Sequence, residues 1–169
     1  MKKILITFIK KWEGGFSNNP NDNGGATMKG VTIGTFTAYR KSKGLPAPSV
    51  EDLKNISDAE WEEIFTTYYW KPCKADSINN VLNACVLVSW AWGSGVTGAV
   101  LLFQRNYGLT QDGVIGAKTI AKLESAKFSD LCKIREKYFN SIGTGSQATF
   151  LKGWLNRLND FVKTFSPFA

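Results

Sequence analysis

KKILITFIKKWEGGFSNNPNDNGGATMKGVTIG, residues 2–34, passes from an apolar periodic stretch through a run of glycine and asparagine into a second ordered segment. Ile4, Leu5, Phe8, Ile9 and Trp12 recur at three- and four-residue spacing, which makes one apolar helical face, and Gly14-Gly15 is a natural stop. Glu13 then sits at a helix C-terminus. The residues through Gly25 read as a loop, and the alternation of Val31 and Ile33 with polar positions reads as a small, irregular β-hairpin.

Outward from this stretch the signals are helical. A helix is expected from Thr35 to Lys43, closed by Gly44, and SVED from Ser49 and SDAE from Ser57 each have the S-x-x-acid form that caps helix starts. The second of those helices carries Trp61, Ile64, Phe65, Tyr68 and Tyr69 and should end at Lys71-Pro72. Further helices are expected at about 79–92, 97–107 with Gly108 as stop, 116–125, 130–142 with Gly143, and 147–164. No repeat or low-complexity linker interrupts them. The expected fold class is mainly α (α+β): a helical bundle with one small β-hairpin.

Composition bounds the chemistry. A chain of 169 residues suits one compact domain, or a domain with an integral subdomain, and can bury roughly 70% of its unfolded surface. With 43% hydrophobic residues but no apolar run near the ~18 needed to span a bilayer, it reads as a soluble globular protein. The lysines and apolar run at the N-terminus invite a secretory-signal reading. That run, Ile4 to Ile9, is six residues, short of the usual ~7–15, so it is expected to fold with the domain. Cys73, Cys85 and Cys132 are odd in number and widely spaced, which indicates buried free thiols rather than a disulfide framework or zinc site.

The net charge of +7 implies attraction to something anionic, but the lysines are scattered and no nucleic-acid-binding motif is present. There is no histidine. That argues against His-assisted serine or cysteine hydrolases and against zinc enzymes, so catalysis, if present, rests on carboxylates.

Glu13 meets one requirement of such catalysis. The negative end of a helix and the apolar Trp12 beside it both disfavour an ionised carboxylate, and a protonated one can be a general acid. Cleavage of a glycosidic bond needs that acid and a second carboxylate that stays ionised in a polar setting. Asp22, amid Asn18, Asn19, Asn21 and Asn23, fits; Thr27 offers a hydroxyl to hold a water, and Gly24 and Gly25 leave room for a sugar chain. The same spacing equally describes a solvated glutamate at a helix end followed by plain turn chemistry. A calcium loop is disfavoured because the segment holds one carboxylate, and GATMKG lacks the G-K-[ST] ending of a phosphate loop.

WEGGFSNNPNDNGGATMKGVTIGTF, residues 12–36, resembles the N-terminal motif of the glycoside hydrolase family 108 lysozymes, N-acetylmuramidases of bacteria and their prophages: E-G-G, then D-x-G-G-x-T-x-x-G-[IV]-T. Phage lysozymes show a similar order of glutamate, eight residues, aspartate and threonine, although four residues rather than five separate Asp22 from Thr27 here. The resemblance continues in YYWKPCKADSINN (68–80), LLFQRNYGLTQDGVIGAKTIAKL (101–123) and FLKGWLNRL (150–158).

It implies a lysozyme-like fold, with a catalytic half at 1–75 and a peptidoglycan-binding helical half at 76–169 packed as one compact unit. Glu13 is then the catalytic acid, Asp22 and Thr27 position or activate water, and Asn23, Gly24 and Gly25 contact the glycan. Asp112, Gly113, Gly116 and Thr119 become candidates for wall recognition, although Asp-Gly with a nearby Gly also makes a helix-capping turn. Where the family reads F-D-x-A-x-N-S-G, this chain reads VSWAWGSG, with Ser89 and Gly93 replacing the acid and the asparagine. Trp90 and Trp92 in that segment either stack on sugars or pack the core.

The implied activity is hydrolysis of the β-1,4 bond between N-acetylmuramic acid and N-acetylglucosamine, with a lytic transglycosylase or a catalytically silent wall-binding protein as rivals. No metal or organic cofactor is implied. The expected partners are peptidoglycan glycan strands and anionic wall polymers, with a monomer made in the cytoplasm and acting at the bacterial wall or periplasm, as for prophage endolysins and the relatives labelled secretion activators.

Overall fold

The computed structural model describes residues 1–18 and 25–169. Asp22, Asn23 and Gly24 lie outside the described residues. The chain divides into two compact units, Ile6–Tyr68 and Tyr69–Ala169 together with Met1–Leu5.

The first unit begins within helix α1 (Lys2–Trp12), where Phe8 and Ile9 are buried and Thr7 and Lys11 face solvent. Three two-residue strands follow: β1 (Phe16–Ser17), β2 (Thr27–Met28) and β3 (Val31–Thr32), antiparallel in the order β1-β2-β3. The expected hairpin is therefore the β2–β3 half of a three-stranded sheet. Phe16 pairs with Met28 and Ser17 with Thr27, while Met28 pairs with Val31. Lys29 and Gly30 connect β2 to β3 with φ of 47° and 77°, the left-handed backbone that a tight two-residue hairpin of matching twist requires.

Ile33 is helical, not a strand residue. It opens α2 (Ile33–Ser42) because Thr32 turns its hydroxyl to accept from Thr35 N at 3.2 Å, a side-chain cap that ends the strand. Helices α3 (Val50–Lys54) and α4 (Asp58–Phe65) start at Ser49 and Ser57, each with a reciprocal capping box to Asp52 or Glu60. Ser57→Ala is expected to remove about 1 kcal/mol, seen as a fall of roughly 2–4 °C in Tm by calorimetry. Five residues wound as a π-helix, Thr66–Trp70, continue α4. Trp61, Ile64 and Phe65 on α4, Phe36 and Tyr39 on α2, Leu53 and Val31 form the buried apolar set of this unit.

The second unit is all helical among the described residues. Helix α5 (Val81–Ser94) has nine of its fourteen residues buried, so it is apolar all round and fills the centre. It packs against α6 (Val96–Asn106), α7 (Ala117–Ser125) and α8 (Phe128–Ile142), and α8 packs against α9 (Ala148–Phe165). Asn80 caps α5 and its N–H donates to Glu124 Oε2 at 2.8 Å, tying the start of α5 to the end of α7. A Cβ on Gly143 would stand 2.8 Å from Leu151 Cδ1 and 2.9 Å from the Phe139 carbonyl, so the turn from α8 to α9 closes only around glycine. Cys73, Cys85 and Cys132 are free and buried. Among the described residues, no helix is long and apolar enough to cross a membrane.

Candidate active site

Glu13 is the first residue beyond α1, and its N–H donates to Ile9 O at 3.0 Å, completing the last helical turn. Its helix is held one turn earlier. Lys10 Nζ lies 3.1 Å from both Asp58 and Glu62 on α4 and 5.0 Å from the Trp61 ring centroid. Lys10, with Lys29 at 3.7 Å, keeps the Asp58 carboxyl below its ordinary pKa. Exposed ion pairs contribute little energy individually; these two tie the last turn of α1 to α4.

Glu13 itself is half-buried, and the two residues after it are exposed. A Cβ built on Gly14 or Gly15 meets no heavy atom within 4 Å. The exposed Gly14-Gly15 backbone that follows Glu13 carries no side chain to bar the approach of a polymer. From there the chain enters β1, whose pairing sets Ser17, four residues past Glu13, opposite Thr27. Thr27 is half-buried and its Oγ1 donates to Gly25 O at 3.2 Å. Gly25 holds φ +64°, a conformation natural to glycine at the point where the described chain resumes. The sheet therefore brings Thr27 alongside the segment that leaves Glu13.

The candidates in the second unit are placed differently. Trp90 is buried at 3% exposure, whereas Trp92 is half-buried with its ring 4.6 Å from that of Tyr69. Asp112 is exposed, and its Oδ1 accepts from Val114 N at 2.9 Å and Gln104 Nε2 at 2.8 Å. Thr119 is buried and receives Gln104 Nε2 at 3.3 Å, while Gly113 N donates back to Gln104 Oε1 at 3.0 Å.

Gln104 is thus the centre of the D-G-V-I-G-A-K-T segment, although no motif in the sequence marks it. The available signal was a polar residue on the apolar face of α6, beside Val100 and Phe103. Arg135 was missed for the same reason, occupying the Leu131–Cys132 face of α8. It is 5% exposed, with Phe139, Tyr138 and Trp90 ring centroids at 4.6, 5.1 and 5.8 Å, and its Nη2 donates to Trp90 O at 3.5 Å. Burial above all, with the charge of Arg157 adding, draws its pKa down to about 10, so it stays charged at neutral pH near the negative end of α5. A Cβ at Gly93 would stand 3.3 Å from Nη2, so the glycine in VSWAWGSG leaves room for this guanidinium.

Among the described residues, no group of three His, Cys, Asp or Glu is arranged to hold a metal ion. Residues 6–95 match the family model described as glycosyl hydrolase 108, a span that includes Glu13, Asp22 and Thr27. Residues 88–123 match the model of a peptidoglycan binding domain, which takes in Gln104, Asp112 and Thr119. Among solved structures the chain is similar to SagA of Brucella abortus, at 29% identity and a TM-score of 0.80, over 99% of this chain and 94% of that one. No curated protein matches it. With more than half of its length matched by the family model, the chain belongs to the glycosyl hydrolase 108 family.

Proposed function

We propose that the chain is a peptidoglycan hydrolase, an N-acetylmuramidase cleaving the β-1,4 bond between N-acetylmuramic acid and N-acetylglucosamine, with Glu13 as its general acid. The observation that carries this reading is the position of Glu13: the end of a helix tied to α4, followed by the exposed Gly14-Gly15 backbone, within a glycosyl hydrolase match. Glu13 gives its proton to the glycosidic oxygen as the bond from C1 to that oxygen breaks and positive charge develops on the sugar ring. Water then adds at C1 and gives up a proton, which returns the carboxyl pair to its starting state. Asp22 and Thr27 orient that water or steady the ring, a role resting on the motif for Asp22 and on the strand pairing for Thr27. Residues 1–75 form the catalytic half and 76–169 the wall-binding half.

Purified sacculi digested with the protein should release reducing ends, and mass spectrometry should show products that have gained water. Products with 1,6-anhydro ends would identify a lytic transglycosylase instead. Sedimentation with sacculi without any release would identify a silent binding protein.

Charge bears on wall attachment through the compact units rather than through these halves, which carry a net +3 (1–75) and +4 (76–169). The unit containing residues 69–169 and 1–5 holds fourteen Lys and Arg against six Asp and Glu, a net +8, whereas residues 6–68 hold seven against eight, a net −1. Retention on anionic wall polymers should therefore belong to the second unit and be screened by salt. Raising salt from about 0.1 M to about 1 M shortens the screening length from ~10 Å to ~3 Å and is expected to release the protein from sacculi carrying anionic polymers. Sedimentation unchanged across that range would exclude an electrostatic tether.

A further inference from the structure

The cavity formed around the turn before α7 has a volume of about 210 Å³ and is lined by Gln104, Thr110, Asp112, Gly116, Lys118 and Thr119, among others. That is below the ~300–1,000 Å³ of sites that enclose a whole small ligand, so it suits a head group rather than a disaccharide. Its walls are held in place. Gln104 bonds to Asp112, Val114, Gly113 and Thr119 from a buried position, so the cavity is shaped before any ligand arrives.

Two residues of opposite charge, Asp112 and Lys118, line this space. The Asp112 carboxyl is held below its ordinary pKa, by the Val114 N–H first and then by Gln104, and so is ionised at neutral pH. Neither Asp112 nor Lys118 makes an ion pair within 4.0 Å among the described residues, with each other or with any other side chain. They line one small cavity without neutralising each other. A ligand that spans them carries an ammonium and a carboxylate close together, which is the chemistry of a free α-amino acid group. The first turn of α7, which Gly116 caps without a side-chain acceptor, borders the cavity on the Lys118 side and adds to its positive potential.

We propose that this cavity recognises the free amino-acid end of an uncrosslinked wall peptide, with the Asp112 carboxylate receiving its ammonium and Lys118 receiving its carboxylate. The inference rests on the reading of the chain as a peptidoglycan-acting protein and assigns the substrate feature that its second unit reads. It makes the second unit a sensor of open peptide ends, separate from the glycan bond that Glu13 cleaves.

The test titrates the full chain with the tripeptide N-acetyl-L-alanyl-γ-D-glutamyl-meso-diaminopimelate, whose one free amine is that of the diaminopimelate, followed by amide NMR. The parallel probes are free meso-diaminopimelate and the tripeptide acetylated at its free amine or amidated at the neighbouring carboxylate. Saturable shifts at Gly113, Gly116, Lys118 and Thr119 are expected, with each blocked probe binding about tenfold more weakly, the worth of one charge-assisted contact. Free diaminopimelate carries the same ammonium and carboxylate and should bind comparably; its failure to bind while the tripeptide binds would overturn the assignment of Asp112 and Lys118 to that head group.

Asp112→Asn separates recognition from architecture. Asparagine keeps an oxygen to accept from Val114 N and Gln104, so the turn and Tm are retained while the charge is lost. Tripeptide affinity should fall about tenfold in Asp112→Asn and again in Lys118→Met, with Tm unchanged in both. Unchanged affinity in both variants, or equal binding of the blocked peptides, would sink the proposal. Loss of glycan cleavage in the wild-type protein alongside intact tripeptide binding would instead count against the muramidase reading alone.

Discussion

Glu13→Gln is expected to abolish release of reducing ends from sacculi while leaving the protein folded. Glutamine has the shape of glutamate but no transferable proton, and general acid catalysis contributes about 10²–10⁴-fold to such reactions. A loss of at least that size is expected, because without protonation the leaving sugar departs as an alkoxide. Glu13 lies just past the last residue of α1, and its N–H bond to Ile9 O is made by backbone that the substitution leaves in place. The Tm should therefore stay within about 4 °C of the parent. Sacculus binding should persist as well, since the basic surface and the Asp112 cavity belong to the other unit. A variant that lyses sacculi at the parental rate would remove Glu13 from the mechanism.

Trp61→Ala is expected to give the largest stability loss in the first unit. The side chain is fully buried, its ring lies 5.7 Å from that of Phe65, and its indole N–H donates to the Lys29 carbonyl at 2.9 Å. Lys29 is one of two non-glycine residues with positive φ among the described residues, so this bond holds the β2–β3 turn in a backbone state that lysine disfavours. Removing a buried tryptophan costs about 3–5 kcal/mol. For a chain of this length that is a fall of roughly 6–20 °C in Tm. Trp61→Phe, which retains the ring and loses the N–H, should cost about 1–2 kcal/mol. Because Thr27 lies on β2, the alanine variant should lose glycan cleavage before it unfolds globally. Calorimetry beside an activity–temperature profile checks both, and a Tm within 2 °C of the parent would refute the role assigned to Trp61.

Most helix boundaries could be read from the sequence because their determinants are local. Ser49 and Ser57 cap α3 and α4 as expected, and Gly44 and Gly108 take left-handed φ just past α2 and α6. What escaped depends on partners far along the chain or on competition between local signals. Phe16–Ser17 is too short to show a period and becomes a strand only through pairing with β2. Ile33 alternates like a strand residue, but the Thr32 cap turns it into a helix start. The winding of Thr66–Trp70 as a π-helix has no signature in a run of threonine and aromatic residues.

The site was legible to a different degree. Glu13 and Thr27 stood out by residue type and motif, and the strand pairing sets Ser17, four residues past Glu13, opposite Thr27. Gln104 and Arg135 did not stand out, because a single polar residue on an apolar helical face looks like noise until burial shows how it is bonded. Asp112 and Thr119 stood out together with Gly113 and Gly116, but Gln104, which bonds to both, contributes nothing to the motif as written.

The three interior thiols carry a consequence for where this protein can work. Burial pushes each of them up to about 12, so at neutral pH they remain protonated and shielded from oxidants and exchange partners. The molecule's cohesion thus draws nothing from sulfur chemistry, and passage from a reducing compartment to an oxidising one should leave its melting behaviour unchanged.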